Sequence, residues 1–142
     1  MDKIDRFEGK YRFLSNFSSH RVTYNGLTYR NAEAAFHAQK CPSLAEEFTG
    51  LSPGAAKHFG RSVPLRIDWE EVKDCFMLQI LRCKFKQNPG LKTLLLDTGD
   101  AELEEGNTWG DRYWGTVNGK GLNKLGKLLM KVRDEIREET EL

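Results

Sequence analysis

Apolar positions along this chain recur first with the period of a strand and then, over most of its length, with that of a helix. In HRVTYNGLTYR (His20–Arg30), the β-forming residues Val22, Tyr24, Leu27 and Tyr29 flank Asn25-Gly26. Asn-Gly favours positive φ at both central turn positions, so the stretch predicts a two-residue hairpin. In NAEAAFHAQK the alanines are strong helix formers and Asn31 is a good N-cap. Glu33, Phe36, His37 and Lys40 fall at i, i+3, i+4 and i+7 and share one face of that helix. On spacing alone Glu33 and His37 read as a pair at a partly solvated surface.

Two short helices follow. Ser43 and Glu46 stand at capping-box spacing with Gly50 as a stop, and Ser52-Pro53 opens a segment closed by Gly60. Asp68–Pro89 carries the longest helical signal, with Asp68 and Glu71 as a capping-box-like pair and Val72, Cys75, Phe76, Gln79, Ile80 and Cys83 as its stripe. Trp69 lies in its first turn, placed either to pack in the core or to wall a pocket. Pro89 starts another short helix, and AELEEG reads as a short strand. Gly106–Gly121 is broken by glycines and holds Asn107, Trp109, Asp111, Arg112, Tyr113 and Trp114, so a functional loop is expected there. Leu122, Leu125, Leu128, Leu129, Val132 and Ile136 form a last helical stripe, with Gly126 allowing close approach, and the charged tail RDEIREETEL is expected to fray. Five or six helices against one hairpin and one further strand make a mainly α fold. The 142 residues read as one domain, 1–142, with its core at about 6–133.

Composition narrows the function classes. The chain is 39% hydrophobic and 30% charged, with a mean hydropathy of −0.61, an ordinary globular balance. No apolar run approaches the ~20 residues of a membrane span, and the N-terminus lacks a signal-peptide core, so a cytoplasmic protein is expected. Cys41, Cys75 and Cys83 include no CxxC pair, which argues against a disulfide framework or a zinc site, and Cys75 and Cys83 are read as buried thiols. A net charge of +1 disfavours wrapping of a nucleic-acid backbone but leaves room for one nucleotide or a flipped base.

Neither a phosphate loop nor a GxSxG or HExxH motif is present, and His20, His37 and His58 are scattered. The remaining chemistry is that of carboxylates beside aromatic rings. Glu33 on a helix and Asp111 in a glycine-rich loop have unlike surroundings, which lets two carboxylates divide acid and base roles at a glycosidic bond. The competing reading of Asp111 is an Asx-turn residue.

FLSNF, the helix from Glu33 to Lys40, the pair Trp69 and Met77, LLDTGDAELEE and the run GDRYWGTVNGKGLNKLGKLLM, in this order from about Arg6 to Arg133, together resemble the NADAR (YbiA-like) family. The resemblance implies a mainly α domain and an N-glycosidase needing no metal or cofactor. Known substrates of the family share an exocyclic aromatic amine bonded to C1 of a ribose that carries a 5′-phosphate. They are early riboflavin-pathway intermediates, or ADP-ribosylated guanine in nucleic acid, where some members act as antitoxin to an ADP-ribosylating toxin. By position, the resemblance implies Glu33, Asp111 and Lys40 as catalytic residues. It implies Ser15, Asn16 and Phe17 of FLSNF, Trp69, Trp114, Gly115 and Asn123 as substrate-binding residues. Many relatives place His directly after the helix glutamate; this chain carries Ala34 there.

Lys40 suggests a specific route. An N-riboside opens to an imine, and a lysine amine can exchange with the leaving amine and hold the sugar as a Schiff base. That needs a neutral amine, so burial has to lower the Lys40 pKa while a nearby Glu33 pushes it up. For a stand-alone member, removal of ADP-ribose from guanine is the first expectation, hydrolysis of ribosylaminouracil phosphate the second, and a non-catalytic ADP-ribose-binding module the third.

Overall fold

The computed structural model describes residues 3–141. In chain order it has strand β1 (Lys3–Ile4), a 3-10 helix (Gly9–Leu14), strands β2 (Val22–Tyr24) and β3 (Leu27–Tyr29), helix α1 (Ala32–Ala38) and a second 3-10 helix (Pro42–Phe48). Helices α2 (Pro53–Gly60), α3 (Trp69–Gln87) and α4 (Pro89–Asp97), strand β4 (Glu102–Leu103) and helix α5 (Lys124–Glu141) complete it. The fold is mainly α, as expected, with two minimal two-stranded sheets. Among the described residues no helix is long and apolar enough to cross a membrane.

The chain gathers into two compact units, Asn16–Asn88 and, together, the segments that end at Ser15 and begin at Pro89. In the Asn16–Asn88 unit, β2 and β3 pair antiparallel with Val22 opposite Tyr29. Asn25 and Gly26 take φ of 51° and 83°, the two positive values that the hairpin turn requires. The Asn31 side chain accepts the Ala34 N–H at 2.7 Å and starts α1 as expected. Helix α1 is packed against α2, α3, the 3-10 helix and the hairpin, and its four alanines are fully buried. Small side chains let the surrounding backbones close in. Ser52 caps α2 through the Ala55 N–H, also as expected.

Four local expectations fail here. The 42–48 helix starts at Pro42 with no side-chain cap, so Ser43 does not begin a capping box. Asp68 stands at the N-cap of α3 without a side-chain cap bond, because its carboxylate takes the Arg66 guanidinium at 2.6 and 3.2 Å. The buried face of α3 is Trp69, Met77, Ile80, Leu81, Lys84 and Phe85, turned away from the expected stripe, of which only Ile80 is buried. Apolar residues cover a wide arc of this helix, so their spacing alone does not say which side faces the core. Cys75 is exposed and Cys83 half-buried rather than buried.

In the other unit, β1 and β4 pair in parallel, Lys3 with Glu102 and Ile4 with Leu103. Helix α5 buries Leu125, Leu129, Val132 and Ile136, close to the expected stripe. Leu122 is 49% exposed and precedes the helix. Gly126 does permit a close approach, but to a strand: a Cβ there would collide with the carbonyl of Leu103. The tail expected to fray is helical as far as Glu141, and Leu142 lies outside the described residues. Buried Arg133 donates to Thr98 Oγ1 and Arg137 donates to the carbonyl of Gly99, so α5 continues to Glu141.

Candidate active site

Glu33 and Lys40 are the two side chains that interrupt the otherwise buried run from Asn31 to Lys40. The Glu33 N–H donates to the carbonyl of Asn16, which fixes the first turn of α1 against that residue. Glu33 Oε2 lies 2.8 Å from His37 Nε2, and the two side chains are only 13% and 10% exposed. The pair predicted from i,i+4 spacing therefore exists, but it is enclosed rather than at a solvated surface. Four elements surround α1, and spacing along one helix cannot report that.

Lys40 lies just past the helix, after the C-cap Gln39. Its Nζ donates to the carbonyl of Gly60 at 3.3 Å and lies 5.9 Å from the centre of the Trp69 ring. Burial lowers the Lys40 pKa; the nearby Glu33 carboxylate raises it, and the positive charges of Arg61 and Lys73 lower it again. The backbone carbonyl of Lys40 accepts the Arg66 N–H at 2.9 Å, tying the segment before α3 to the residue.

Trp69 is 5% exposed and sits in a column of rings, 5.1 Å from Phe36 and nearly parallel to Phe76 at 6.2 Å. The reading of Trp69 as a packed core residue holds, and the Lys40 amine lies over its ring. Arg66, which spacing did not single out, lies over Phe76 at 5.1 Å. Asn16 is also 5% exposed; its Nδ2 donates to the Met77 sulfur at 3.3 Å, and its buried Oδ1 has no protein partner among the described residues. Phe17 lies beneath Lys57 Nζ at 5.9 Å. Glu33, Lys40, Trp69, Asn16 and Phe17 thus all belong to the Asn16–Asn88 unit.

Ser15, Asp111, Trp114, Gly115 and Asn123 belong to the other unit. Ser15 ends the first 3-10 helix, its N–H donating to the carbonyl of Arg12. Asp111 Oδ1 accepts the N–H groups of Tyr113 and Trp114 at 3.0 and 2.9 Å, so the Asx-turn expected as the competing reading is formed. Asn107 holds the start of the loop: its amide donates to the carbonyls of Asp111 and Thr116, and its Oδ1 accepts the Asp111 N–H. The sequence offers no spacing signal for that role. Gly115 passes so close to the carbonyl of Glu105 that any side chain would collide. Asn123, in the left-handed region at φ 50°, donates to the carbonyl of Leu103 and accepts the Glu105 N–H. Its amide thereby ties the loop to β4.

Residues 5–137 match the family model of the NADAR domain. The chain belongs to the NADAR family. N-glycosidase YbiA of Escherichia coli is 42% identical over 132 residues, 89% of this chain and 82% of the relative. An NMR structure of that E. coli protein superimposes with a TM-score of 0.87 at 39% identity, covering 98% of this chain and 87% of the other. A riboflavin biosynthesis protein of Vibrio vulnificus is 36% identical over 132 residues, which are 36% of its length. With these relatives the NADAR chain described here is an enzyme, a glycosyl hydrolase of the N-glycosidase class.

Proposed function

We propose that this NADAR chain hydrolyses the bond between C1 of a 5-phosphorylated ribose and an exocyclic aromatic amine, and that ribosylaminouracil phosphate is its substrate. The observation that carries the reaction is the setting of Lys40. A partly buried amine, its pKa lowered by burial, stands beside Trp69 and within the field of Glu33. The choice of leaving amine is supported by the Vibrio relative, a protein named for riboflavin biosynthesis. Guanine, the first expectation from resemblance, becomes the second.

The proposed route consumes one water. The riboside opens to a C1 imine, and the neutral Lys40 amine attacks C1. The carbon–nitrogen bond to the aromatic amine then breaks, leaving the sugar as an imine on Lys40. Glu33 takes the proton Lys40 loses and returns it to the departing amine. Water adds to C1, and the carbon–nitrogen bond to Lys40 breaks to release the free sugar. In the Asn16–Asn88 unit, Asn16 and Phe17 are proposed to bind the sugar phosphate and Trp69 to wall the ring. For Ser15, Asp111, Trp114 and Gly115 of the other unit, substrate contact, and for Asp111 stabilisation of positive charge at C1, are proposed from the family resemblance alone. Asn123 is proposed to act by holding the loop that carries Asp111.

The test is incubation with ribosylaminouracil phosphate and, separately, with an ADP-ribosylated guanine oligonucleotide, with the released base identified by mass spectrometry. Release of the aminouracil alone supports the proposal. Cleavage of the oligonucleotide alone moves the leaving group to guanine, and cleavage of neither with ADP-ribose bound favours a binding module.

A further inference from the structure

His37 is buried, and the carboxylate–imidazole bond to Glu33 uses only one of its ring nitrogens. Nδ1 is buried and has no hydrogen-bond partner among the described residues. It faces the backbone of α2 at Gly60, where a Cβ would lie 2.6 Å from Nδ1 and 2.8 Å from Cγ. The other side of the ring meets the edge of Phe36, with centroids 5.4 Å apart. The imidazole is therefore wedged in a tight slot that only a glycine at position 60 leaves open.

The slot decides which nitrogen carries the proton. A proton on Nδ1 would be a buried donor with nothing to accept it, and it would suffer the full loss of its hydration. An imidazolium has the same defect. The ring with its single proton on Nε2 leaves only a bare lone pair facing Gly60, and its one N–H points at Glu33 Oε2. We propose that His37 is a positioning residue for the Glu33 carboxylate: as a fixed Nε2–H donor it occupies Oε2 throughout turnover and reserves Oε1 as the oxygen that takes up and gives back the proton.

This rests on the proposed role of Glu33 and adds two things to it. First, it separates His37 from the acid–base work, since a proton on Nδ1 would find no acceptor in the slot. Second, it explains how a carboxylate with one oxygen held by His37 can exchange protons without losing its aim. When Oε1 is protonated, Oε2 becomes a carbonyl-type acceptor and the bond from His37 persists. Neither the carboxylate nor the imidazole has to rotate during the cycle. Gly60 takes part at both ends of the arrangement, since its carbonyl accepts from Lys40 Nζ while its missing side chain admits the His37 ring.

The test has two arms. The first reads the wild-type protein by 15N NMR of the histidine rings near pH 7.5, with His37→Gln identifying the signals. A neutral His37 protonated on Nε2 is expected; a proton on Nδ1, or an imidazolium, overturns the proposal. This arm needs no substrate, so it stands whether or not the proposed reaction is right. The second arm compares His37→Phe with His37→Gln, whose amide can present an N–H near the position of Nε2. His37→Phe is expected to lower kcat roughly tenfold or more with KM within about twofold, and His37→Gln to restore most of kcat. Equal loss in both variants while both remain folded, or wild-type kcat in His37→Phe, overturns the positioning role. Failure of the wild type to cleave any ribosylamine would instead count against the proposed function and leave the tautomer result intact.

Discussion

Lys40 Nζ lies 5.9 Å from the centre of the Trp69 ring, in a site that strips part of its water and leaves a carbonyl, Gly60, as its hydrogen-bond acceptor. An aromatic face attracts the ammonium form, while dehydration favours the neutral amine. The balance matters because only the neutral form attacks carbon. Burial is the largest influence and it lowers the pKa; the Glu33 charge opposes it.

The sign of that opposition gives a first prediction. Removing the Glu33 charge removes a raising influence, so the amine in Glu33→Gln titrates lower than in the wild type. Trapping with a small aldehyde and borohydride at a series of pH values, with peptide mapping of Lys40, measures this. The wild-type midpoint is expected below 10.5, and that of Glu33→Gln below the wild-type value. A wild-type midpoint at or above 10.5 contradicts the burial argument.

Asp111 separates two roles that one atom now combines. Its Oδ1 accepts two backbone N–H groups, and an asparagine oxygen can do the same. Asp111→Asn is therefore expected to melt near the wild-type temperature, whereas Asp111→Ala loses roughly 1–2 kcal/mol of stability with its two turn bonds. Turnover is expected to fall in both. Full activity in Asp111→Asn would reduce Asp111 to a turn residue.

Lys84 is fully buried on α3, and burial lowers its pKa to about 7. In the unfolded chain the amine returns to 10.5, so between these values the unfolded state binds more protons and stability rises with pH. A shift of one pKa unit corresponds to ~1.4 kcal/mol, so the Lys84 contribution grows by roughly 2 kcal/mol from pH 7 to pH 9. Urea unfolding at the two pH values should show this rise in the wild type and a smaller one in Lys84→Met. Equal pH dependence in the two proteins would contradict the assignment.

What could be read from the sequence was what local chemistry decides. Asn25-Gly26 imposes its turn on any flanking strands, and the caps at Asn31 and Ser52 act within four residues. Pairing of β1 with β4 joins two-residue segments far apart in the chain, with no local signal in Lys3–Ile4. The face of α3 depends on what packs against it, so its stripe was misread while that of α5, with polar residues filling its other side, was close. The residue types of the site were legible: Glu33, His37 and Lys40 share a stripe by spacing alone. Their burial, the tight slot at Gly60 and the role of Asn107 arise from backbone approaches that no pattern in the sequence marks.

The most direct test of the proposed chemistry is the single-turnover rate of ribosylaminouracil phosphate hydrolysis by wild type and Glu33→Gln. The amide keeps the shape of the side chain and an oxygen for His37. It loses the ability to exchange a proton and the charge that raises the Lys40 pKa, and the second loss favours the neutral amine rather than hindering attack. The expected result is release of free aminouracil by the wild type, slowed by roughly 10²–10⁴-fold in Glu33→Gln at unchanged fold. Hydrolysis by Glu33→Gln at the wild-type rate would contradict a catalytic Glu33.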